Sequence, residues 1–302
     1  MIKKYCIPAL FLSALIYMVG LSSCSLLDPP VTIPCYGHID TMGITTNYAS
    51  QGTASSSITC AWVYVDDQPV GAFALPCKFP MIAGTGSHLI TIFPGITADG
   101  ITSTREKYPF YTFYNTTVNI KQDSVVTFKY VPTYTSITQF DWMEDFEANG
   151  VSIATDTSET TRGNPAIIIT SVGAPYAFQG NYSGEVLLDS NSQHNYTNYV
   201  GITLDTFNLP HDGSPVFMEM NYNTNALFGV GLCYGGSTTN QLPVLVEIYP
   251  TTGWSKIYID LGPAVANHQG SFYVYFSFQR PPGLAQAKLY LDNIKVMHNK
   301  GA

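Results

Sequence analysis

Alternation of apolar and polar residues recurs along the chain and constrains its fold more than any other feature. Val216, Met218 and Met220, for example, alternate with Phe217 and Glu219. Because successive side chains of a strand point to opposite faces of a sheet, this period of two predicts strands. Helical periodicity is absent beyond the first twenty or so residues, and abundant Thr, Tyr, Val and Ile with Gly and Pro turn signals favour β-sandwiches. We therefore predict an all-β chain.

The pattern divides the chain into two predicted β-domains. Residues 35–132 combine short strands with tight turns, which predicts a small Ig-like β-sandwich. Residues 137–302 contain longer strands, which predicts a jelly-roll β-sandwich, and residues 133–136 form the predicted linker. The continuous apolar and aromatic run at residues 272–278 predicts a central strand with both faces covered.

The N-terminus has the pattern of a lipoprotein signal peptide. Lys3 and Lys4 precede an apolar stretch that is short for a membrane span of about 20 residues. The Leu-Ser-Ser-Cys sequence that ends at Cys24 resembles a lipobox, which implies removal of residues 1–23 and acylation of Cys24, for example with palmitate. Residues 24–34, which include three prolines, would form a short tether. We predict a lipid anchor in the outer membrane; a chance cysteine after an ordinary signal peptide and an uncleaved helix are the alternatives.

Charge and the absence of motifs exclude several functions. The net charge is −8, and loss of Lys3 and Lys4 would make the chain more acidic. Nucleic acids and anionic lipid headgroups would therefore be repelled, and we expect no nucleic-acid partner. The sequence has no nucleophile elbow, zinc-protease motif or phosphate loop, and its six histidines have no ligand spacing. We expect a protein that is not an enzyme.

Two stretches of the first half resemble known envelope proteins. The Asp-rich turn in residues 65–71, the Leu-Pro pair at 75–76 and the Gly-Ser-His sequence at 86–88 resemble the PEGA-type module, a small β-sandwich. Residues 38–147 more broadly resemble a family of uncharacterised lipoproteins from Gram-negative bacteria, with segments such as 61–66 carrying the similarity. This resemblance implies an envelope location and no particular activity.

The second half resembles jelly-roll carbohydrate-binding modules. Residues 145–147, 254–258 and 291–296 carry this similarity, which implies glycan binding. Many such modules hold a structural calcium ion with acidic residues near the first and last strands, and Glu147 and Asp292 occupy those places here. Calcium takes six to eight oxygen ligands, so two carboxylates would supply a minority, and solvated strand-end acids are the alternative.

The alternation around Asp292 contains one irregularity. Leu289 and Leu291 are out of phase with Ile294 and Val296 by one residue. A β-bulge at Asp292 and its neighbour would explain the shift and would redirect the Asp292 side chain.

Four aromatic residues of the second half are candidate glycan ligands. Tyr176, Phe178 and Tyr182 lie in a region rich in Gly, Pro and Asn, and Trp254 precedes a predicted strand. Aromatic ring faces bind the C–H surfaces of sugars, although filling the core is the commoner role of any one ring.

A second set of residues suggests a protein contact. Arg105, Tyr108, Phe110 and Tyr111 could form a docking surface, since Tyr and Arg are frequent in interface hot spots. Alternatively, the aromatic residues pack the first domain against the second, and we favour this interpretation. Two functions consequently stay open: a glycan-binding lipoprotein, and a structural or docking subunit of an outer-membrane or secretion complex.

Cys60 and Cys77 are the candidates for a disulfide. An exported protein enters an oxidising compartment in which disulfides persist. If the hairpin turn is centred between Asp67 and Gln68, Cys60 faces Leu75 and Cys77 is its diagonal neighbour. The alternative is that the cysteines are buried and free.

Overall fold

The computed structural model describes residues 34–156, 169–173, 175–191 and 196–301. Strands are the main regular structure of these residues, with only two short helices, which confirms the predicted all-β class. No helix in this part of the chain is long and apolar enough to span a membrane. Cys24 and the signal pattern lie outside the described residues, so lipidation stays a prediction.

The first half folds into two small facing sheets. The first sheet has the strand order β4-β1-β8, and the second has the order β3-β2-β5-β6 with β7 also paired to β5. Their bounds, with the single helical turn, are β1 (Cys35–Ile39), α1 (Tyr48–Gln51), β2 (Cys60–Val65), β3 (Gln68–Ala74), β4 (Cys77–Met81), β5 (Gly86–Thr97), β6 (Arg105–Lys107), β7 (Tyr114–Ile120) and β8 (Val125–Phe128). Apolar side chains from both sheets, such as Val63 and Phe79, fill the space between them.

The turn between β2 and β3 corrects the predicted hairpin register. Asp66 and Asp67 both have positive φ, at 48° and 62°, as a two-residue type I′ turn requires, and aspartate tolerates this conformation. The turn is thus centred one residue earlier than predicted, and with a bulge between Val63 and Tyr64 it places Cys60 opposite Ala74.

The predicted disulfide between Cys60 and Cys77 is also wrong in this structure, in which both thiols are free. After β3 the chain crosses to the other sheet, where Cys77 pairs with Ile39. The two cysteines therefore belong to different sheets and are not diagonal neighbours on one ladder. Cys60 is fully buried, and burial raises the pKa of its thiol.

The second half is a sandwich of two larger antiparallel sheets. The front sheet has the order β11-β12-β19-β14-β17, with β9 also paired to β19, and the back sheet has the order β10-β13-β18-β15-β16. Their bounds are β9 (Thr138–Glu144), β10 (Ile153–Thr155), β11 (Thr170–Gly173), β12 (Tyr182–Asp189), β13 (Asn198–Thr203), β14 (Val216–Thr224), β15 (Phe228–Cys233), β16 (Val246–Ile248), β17 (Ser255–Asp260), α2 (Gly262–Ala266), β18 (Tyr273–Gln279) and β19 (Gln286–Asn299). A jelly-roll sandwich was predicted for this half, and the run at 272–278 is indeed the middle strand of the back sheet.

The core of this sandwich follows the predicted alternation. Met218 and Met220 of β14 point between the two sheets and are fully buried. The predicted bulge is also present: the register of β14 against β19 shifts between Glu219 and Asn221, and Asn293 has a φ of 50°.

The first half packs on the outer surface of the front sheet. Phe217, Tyr258 and Met297 point away from the sandwich core and belong instead to the apolar core of the first half. This contact explains why β14 is buried on both faces, although alternation alone predicts one solvated face. The first half covers one end of the front sheet and leaves the surface around Tyr290 uncovered by its core.

Candidate functional site

Aromatic side chains converge on the uncovered end of the front sheet. The ring of Tyr176 stacks on that of Tyr290 with centroids 5.1 Å apart and planes 3° from parallel. Trp254 lies 6.4 Å from Tyr290 and 5.6 Å from Phe178, with tilted planes. Tyr176 and Phe178 are 44% and 41% exposed, so their rings are not core filling. We call these four residues the aromatic patch.

The structure thus brings together three of the four predicted glycan ligands. Tyr182 starts β12 opposite Gly173, and no ring contact joins it to the patch among the described residues. Tyr290 was missed because it lies under Tyr176 and is 6% exposed. Its alternation with Leu289 and Leu291 along β19 does indicate an outward side chain, but not which ring would cover it.

A buried carboxylate holds the segment that carries Tyr176 and Phe178. Asp292 is fully buried, and its Oδ2 accepts hydrogen bonds from the backbone N–H groups of Phe178 and Gln179, both at 3.1 Å. Its Oδ1 accepts the N–H of Asn293 at 2.7 Å. The positive φ of Asn293 in the bulge accompanies this redirection of the carboxylate.

Glu147 holds the other end of the same segment. Its Oε1 accepts the N–H groups of Asn181 and Tyr182 at 2.6 and 2.8 Å, and its Oε2 accepts from the Asn181 side chain at 3.1 Å. Gly180 permits this approach, because a Cβ there would lie 2.4 Å from Oε1 and its φ is 77°. Two carboxylates therefore hold residues 178–182 at both ends.

The pKa values of the two carboxyl groups are shifted in opposite directions. Burial raises the pKa of Asp292 to about 7, against the opposing effect of its three N–H donors, and nearby Asp145 adds repulsion. Burial also acts to raise the pKa of Glu147, but the donors from Tyr182 and Asn181 outweigh it and hold that pKa below its usual value. The Tyr48 hydroxyl donates to Asp145 at 2.5 Å, and this bond raises the pKa of Tyr48 to about 12.

The geometry of Glu147 and Asp292 fits a cation poorly. Each carboxylate accepts three N–H donors, which direct positive hydrogen atoms towards the oxygens that calcium would need. Among the described residues, no group of three His, Cys, Asp or Glu side chains is placed to hold a metal ion. Structural calcium stays a prediction that this arrangement does not support.

The predicted docking residues are mostly buried inside the molecule. Tyr108, Phe110 and Tyr111 are 0–4% exposed, and the ring of Tyr108 lies 5.3 Å from Phe217 and 4.9 Å from Tyr258 of the second half. The docking interpretation is therefore wrong for these three residues, and packing between the halves is confirmed. Arg105 alone of the four is exposed, at the start of β6.

A buried charge cluster lies at this contact between the halves. Glu219 is fully buried, and its Oε2 lies 2.8 Å from the Nζ of Lys256. Its Oε1 accepts the Tyr108 hydroxyl at 2.8 Å, and both oxygens lie 3.0 Å from the Tyr134 hydroxyl. Lys295 donates to the Tyr134 hydroxyl at 3.2 Å and to the carbonyl of Thr53 at 2.7 Å.

Electrostatics within the charge cluster favour an ionised glutamate. Burial opposes charge on Glu219, but Lys256 and Lys295 outweigh it and hold the pKa of the carboxyl below its usual value. Burial lowers the pKa of Lys295 to about 7, although Glu219 opposes this shift. The cluster is not evident from the sequence, because Glu219, Lys256 and Lys295 look like ordinary solvent-facing residues of alternating strands.

Comparison with known proteins identifies structures of similar fold. The K3 cleaved adhesin domain of Lys-gingipain from Porphyromonas gingivalis w83 is 16% identical, with a TM-score of 0.39 over 53% of this chain and 98% of that domain. The CBM22-1 xylan-binding domain of Xyn10C from Paenibacillus barcinonensis is 16% identical, with a TM-score of 0.36 over 56% of this chain and 99% of that domain. TmCBM61, solved with β-1,4-galactotriose, is 16% identical, with a TM-score of 0.32 over 52% and 92%.

These similarities concern the fold alone. No family model and no curated protein matches the chain.

Proposed function

We propose that this chain is a non-catalytic glycan-binding protein and that the aromatic patch is its binding site. The observation that carries the proposal is the convergence of Tyr176, Phe178 and Trp254, from two separate segments, on one exposed surface. A sugar ring presents a face of C–H groups that packs well on an aromatic face. Contiguous exposed apolar patches on soluble proteins commonly mark sites of ligand or protein binding.

Polar neighbours complete a site suited to a sugar. Tyr290 is paired with Glu185 on β12 and with Asn223 on β14, so these side chains flank it about 4.8 Å away along the sheet. The Asn223 side chain makes no hydrogen bond with any other described residue. An amide and a carboxylate beside stacked rings can bind hydroxyl groups at the edge of a sugar that lies on the rings.

Charge around the patch favours a neutral glycan. Glu185 and Glu147 lie beside it, and the whole chain has a net charge of −8. Like charges across an interface disfavour binding, so glycans rich in uronic acid are poorer ligands than neutral ones.

Substitution of the patch is expected to abolish most of the binding. We expect isothermal titration calorimetry of the full chain with a panel of cellohexaose, xylohexaose and mannohexaose to show binding of at least one sugar. Trp254→Ala and Tyr176→Ala should each weaken that binding at least tenfold, because each removes a ring face on which the sugar packs; tenfold corresponds to about 1.4 kcal/mol.

Tyr249→Ala is the matched control for the patch variants. Tyr249 is 70% exposed, follows β16 of the back sheet, and makes no ring contact with the patch among the described residues. Its replacement should leave the dissociation constant within about twofold of wild type. Wild-type affinity in both patch variants would refute the patch as the site.

We further propose that the protein works at the cell envelope, held by a lipid on Cys24. The support is the sequence pattern around that cysteine and the acidic charge, which gives anionic lipids little to attract. Acyl chains contribute about 0.8 kcal/mol for each buried methylene, so they would form the main membrane contact.

Cys24→Ala is expected to block processing or to release the protein from the membrane fraction. Immunoblots of fractionated cells, with the Cys233→Ala variant as a control that keeps Cys24, measure both effects. Normal processing together with full membrane retention in Cys24→Ala would contradict the anchor.

A further inference from the structure

The back sheet carries a groove on its outer surface, on the opposite side of the sandwich from the aromatic patch. Its volume is about 330 Å³, which is in the range of about 300–1,000 Å³ usual for small-molecule sites. None of the candidate site residues predicted from the sequence lines it. The side chains and backbone that form it come from four neighbouring strands and the segment before β16, and include Asn198, Gly229, Val244, Glu247, Ser277 and Gln279.

Strand register aligns these residues into two rows. Ser277 in the middle strand is paired with Val200 on one side and with Gly229 on the other, and Gly229 is paired with Glu247. Strands in a sheet lie about 4.8 Å apart, so this row crosses four strands over roughly 15 Å. Asn198 and Gln279 are paired directly in the next row. The groove therefore runs across the strands.

Gly229 forms the floor of the groove. A Cβ at this position would lie 2.7 Å from both Ser277 Oγ and Val244 Cγ1, so any side chain would collide with the walls and fill the space. Glycine weakens the interior of a strand, and it often marks a place where a ligand approaches the backbone closely. Gly231, two residues further along the strand, differs because the ring of Tyr275 covers it.

The polar groups of the groove are available to a ligand. Within the described part of the chain, the side chains of Asn198, Ser277, Gln279 and Glu247 form no hydrogen bond or ion pair. Amides and a hydroxyl each donate and accept, which matches the hydroxyl groups of a sugar. The lining contains no Lys, Arg or His, so it offers no cation to a phosphate or a carboxylate.

We propose that this groove is a second binding site, for a neutral oligosaccharide, and that one molecule thereby joins two glycan chains on opposite sides of its sandwich. The joining of two chains rests on the proposed function of the aromatic patch, whereas binding in the groove does not. The first half packs on the front sheet and leaves the outer surface of the back sheet free of its core residues.

Calorimetry of the full chain with cellohexaose, xylohexaose and mannohexaose tests both sites separately. The groove variant is Asn198→Ala with Gln279→Ala, and the patch variant is Tyr176→Ala with Trp254→Ala. We expect two sugars bound per wild-type molecule and one bound per molecule of each variant. Gln269→Ala, at an exposed position before β18, is the matched control and should keep two.

The possible failures are distinct. If the groove variant, with an unchanged melting temperature, binds every sugar of the panel with wild-type stoichiometry and affinity, the groove is not a site. Unchanged binding by the patch variant would instead overturn the proposed function. In that case the loss of a sugar in the groove variant would still support binding in the groove. A wild-type stoichiometry of one, lost only in the patch variant, would also reject the groove.

Discussion

Replacement of Glu219 by alanine is expected to lower the free energy of unfolding by about 3–5 kcal/mol, the usual cost of removing one partner from a buried ion pair. The glutamate is fully buried between the halves, where its carboxylate lies 2.8 Å from the Nζ of Lys256. The Tyr134 hydroxyl connects it to Lys295, because that hydroxyl donates to Glu219 and accepts from the Lys295 ammonium. Without it, two lysines would remain buried with no opposing carboxylate. Urea unfolding measures the loss.

Glu247→Ala is the matched control for this prediction. Glu247 also lies on a strand, but it is exposed and its side chain has no partner in the described structure, so its replacement should change the free energy of unfolding by less than about 0.5 kcal/mol. Combining Glu219→Ala with Lys256→Met should cost less than the sum of the single changes, because the second removes a charge that the first left unpaired. A loss of stability below about 1 kcal/mol for Glu219→Ala alone would contradict a buried ion pair between Glu219 and the two lysines.

Stability should also depend on pH through Asp292. In the unfolded chain this carboxyl has an ordinary pKa near 4, whereas burial raises the pKa to about 7 in the folded protein. Between these values the folded state binds more protons, so the stabilisation from Asp292 is complete below about pH 4 and is lost as pH rises through about 7. The loss amounts to at most about 1.4 kcal/mol for each pH unit in that window.

Comparison with Asp292→Asn isolates this effect. We expect urea unfolding between pH 4.5 and 8 to show wild type losing stability relative to the variant as pH rises. The Lys295 ammonium, whose pKa is lowered to about 7, has the opposite sign: it destabilises the folded state below pH 7 and adds stability from pH 7 towards 10.5, but it is common to both chains and cancels in the difference. Parallel stability curves for the two proteins would contradict the raised pKa.

Local patterns predicted the parts of the fold that depend on neighbouring residues. The alternation along β14 predicted a strand with Met218 and Met220 on one face, which proves to be the core face, and the phase shift around Asp292 identified the bulge. Both signals come from a few consecutive residues, whose side chains alternate between the two faces of the sheet. The turn between β2 and β3 was predicted one residue too late along the chain, because the positive φ of Asp66 and Asp67 is not evident from the alternation.

Local sequence patterns did not predict the contacts between residues that are far apart in the chain. Glu219 and Lys256 resemble solvated strand residues, and only the packing of the first half on the front sheet makes them buried. The same holds for the acids at the patch: Glu147 follows the end of β9, but Asp292 is buried in the middle of β19 and is not a strand-end acid. Their partners include backbone amides more than thirty residues away. The groove of the back sheet depends on the register of four strands, which no single segment specifies.

Fluorine NMR of the full chain labelled with 5-fluorotryptophan tests glycan binding at the aromatic patch most directly. The chain has three tryptophans, and Trp142 is buried in the sandwich core while Trp62 lies on β2 of the first half, so both serve as internal controls. Trp254→Phe assigns the patch signal. Addition of the sugar that binds in calorimetry is expected to shift the Trp254 signal and leave the other two unchanged. Saturating sugar with no change at Trp254 would contradict the account.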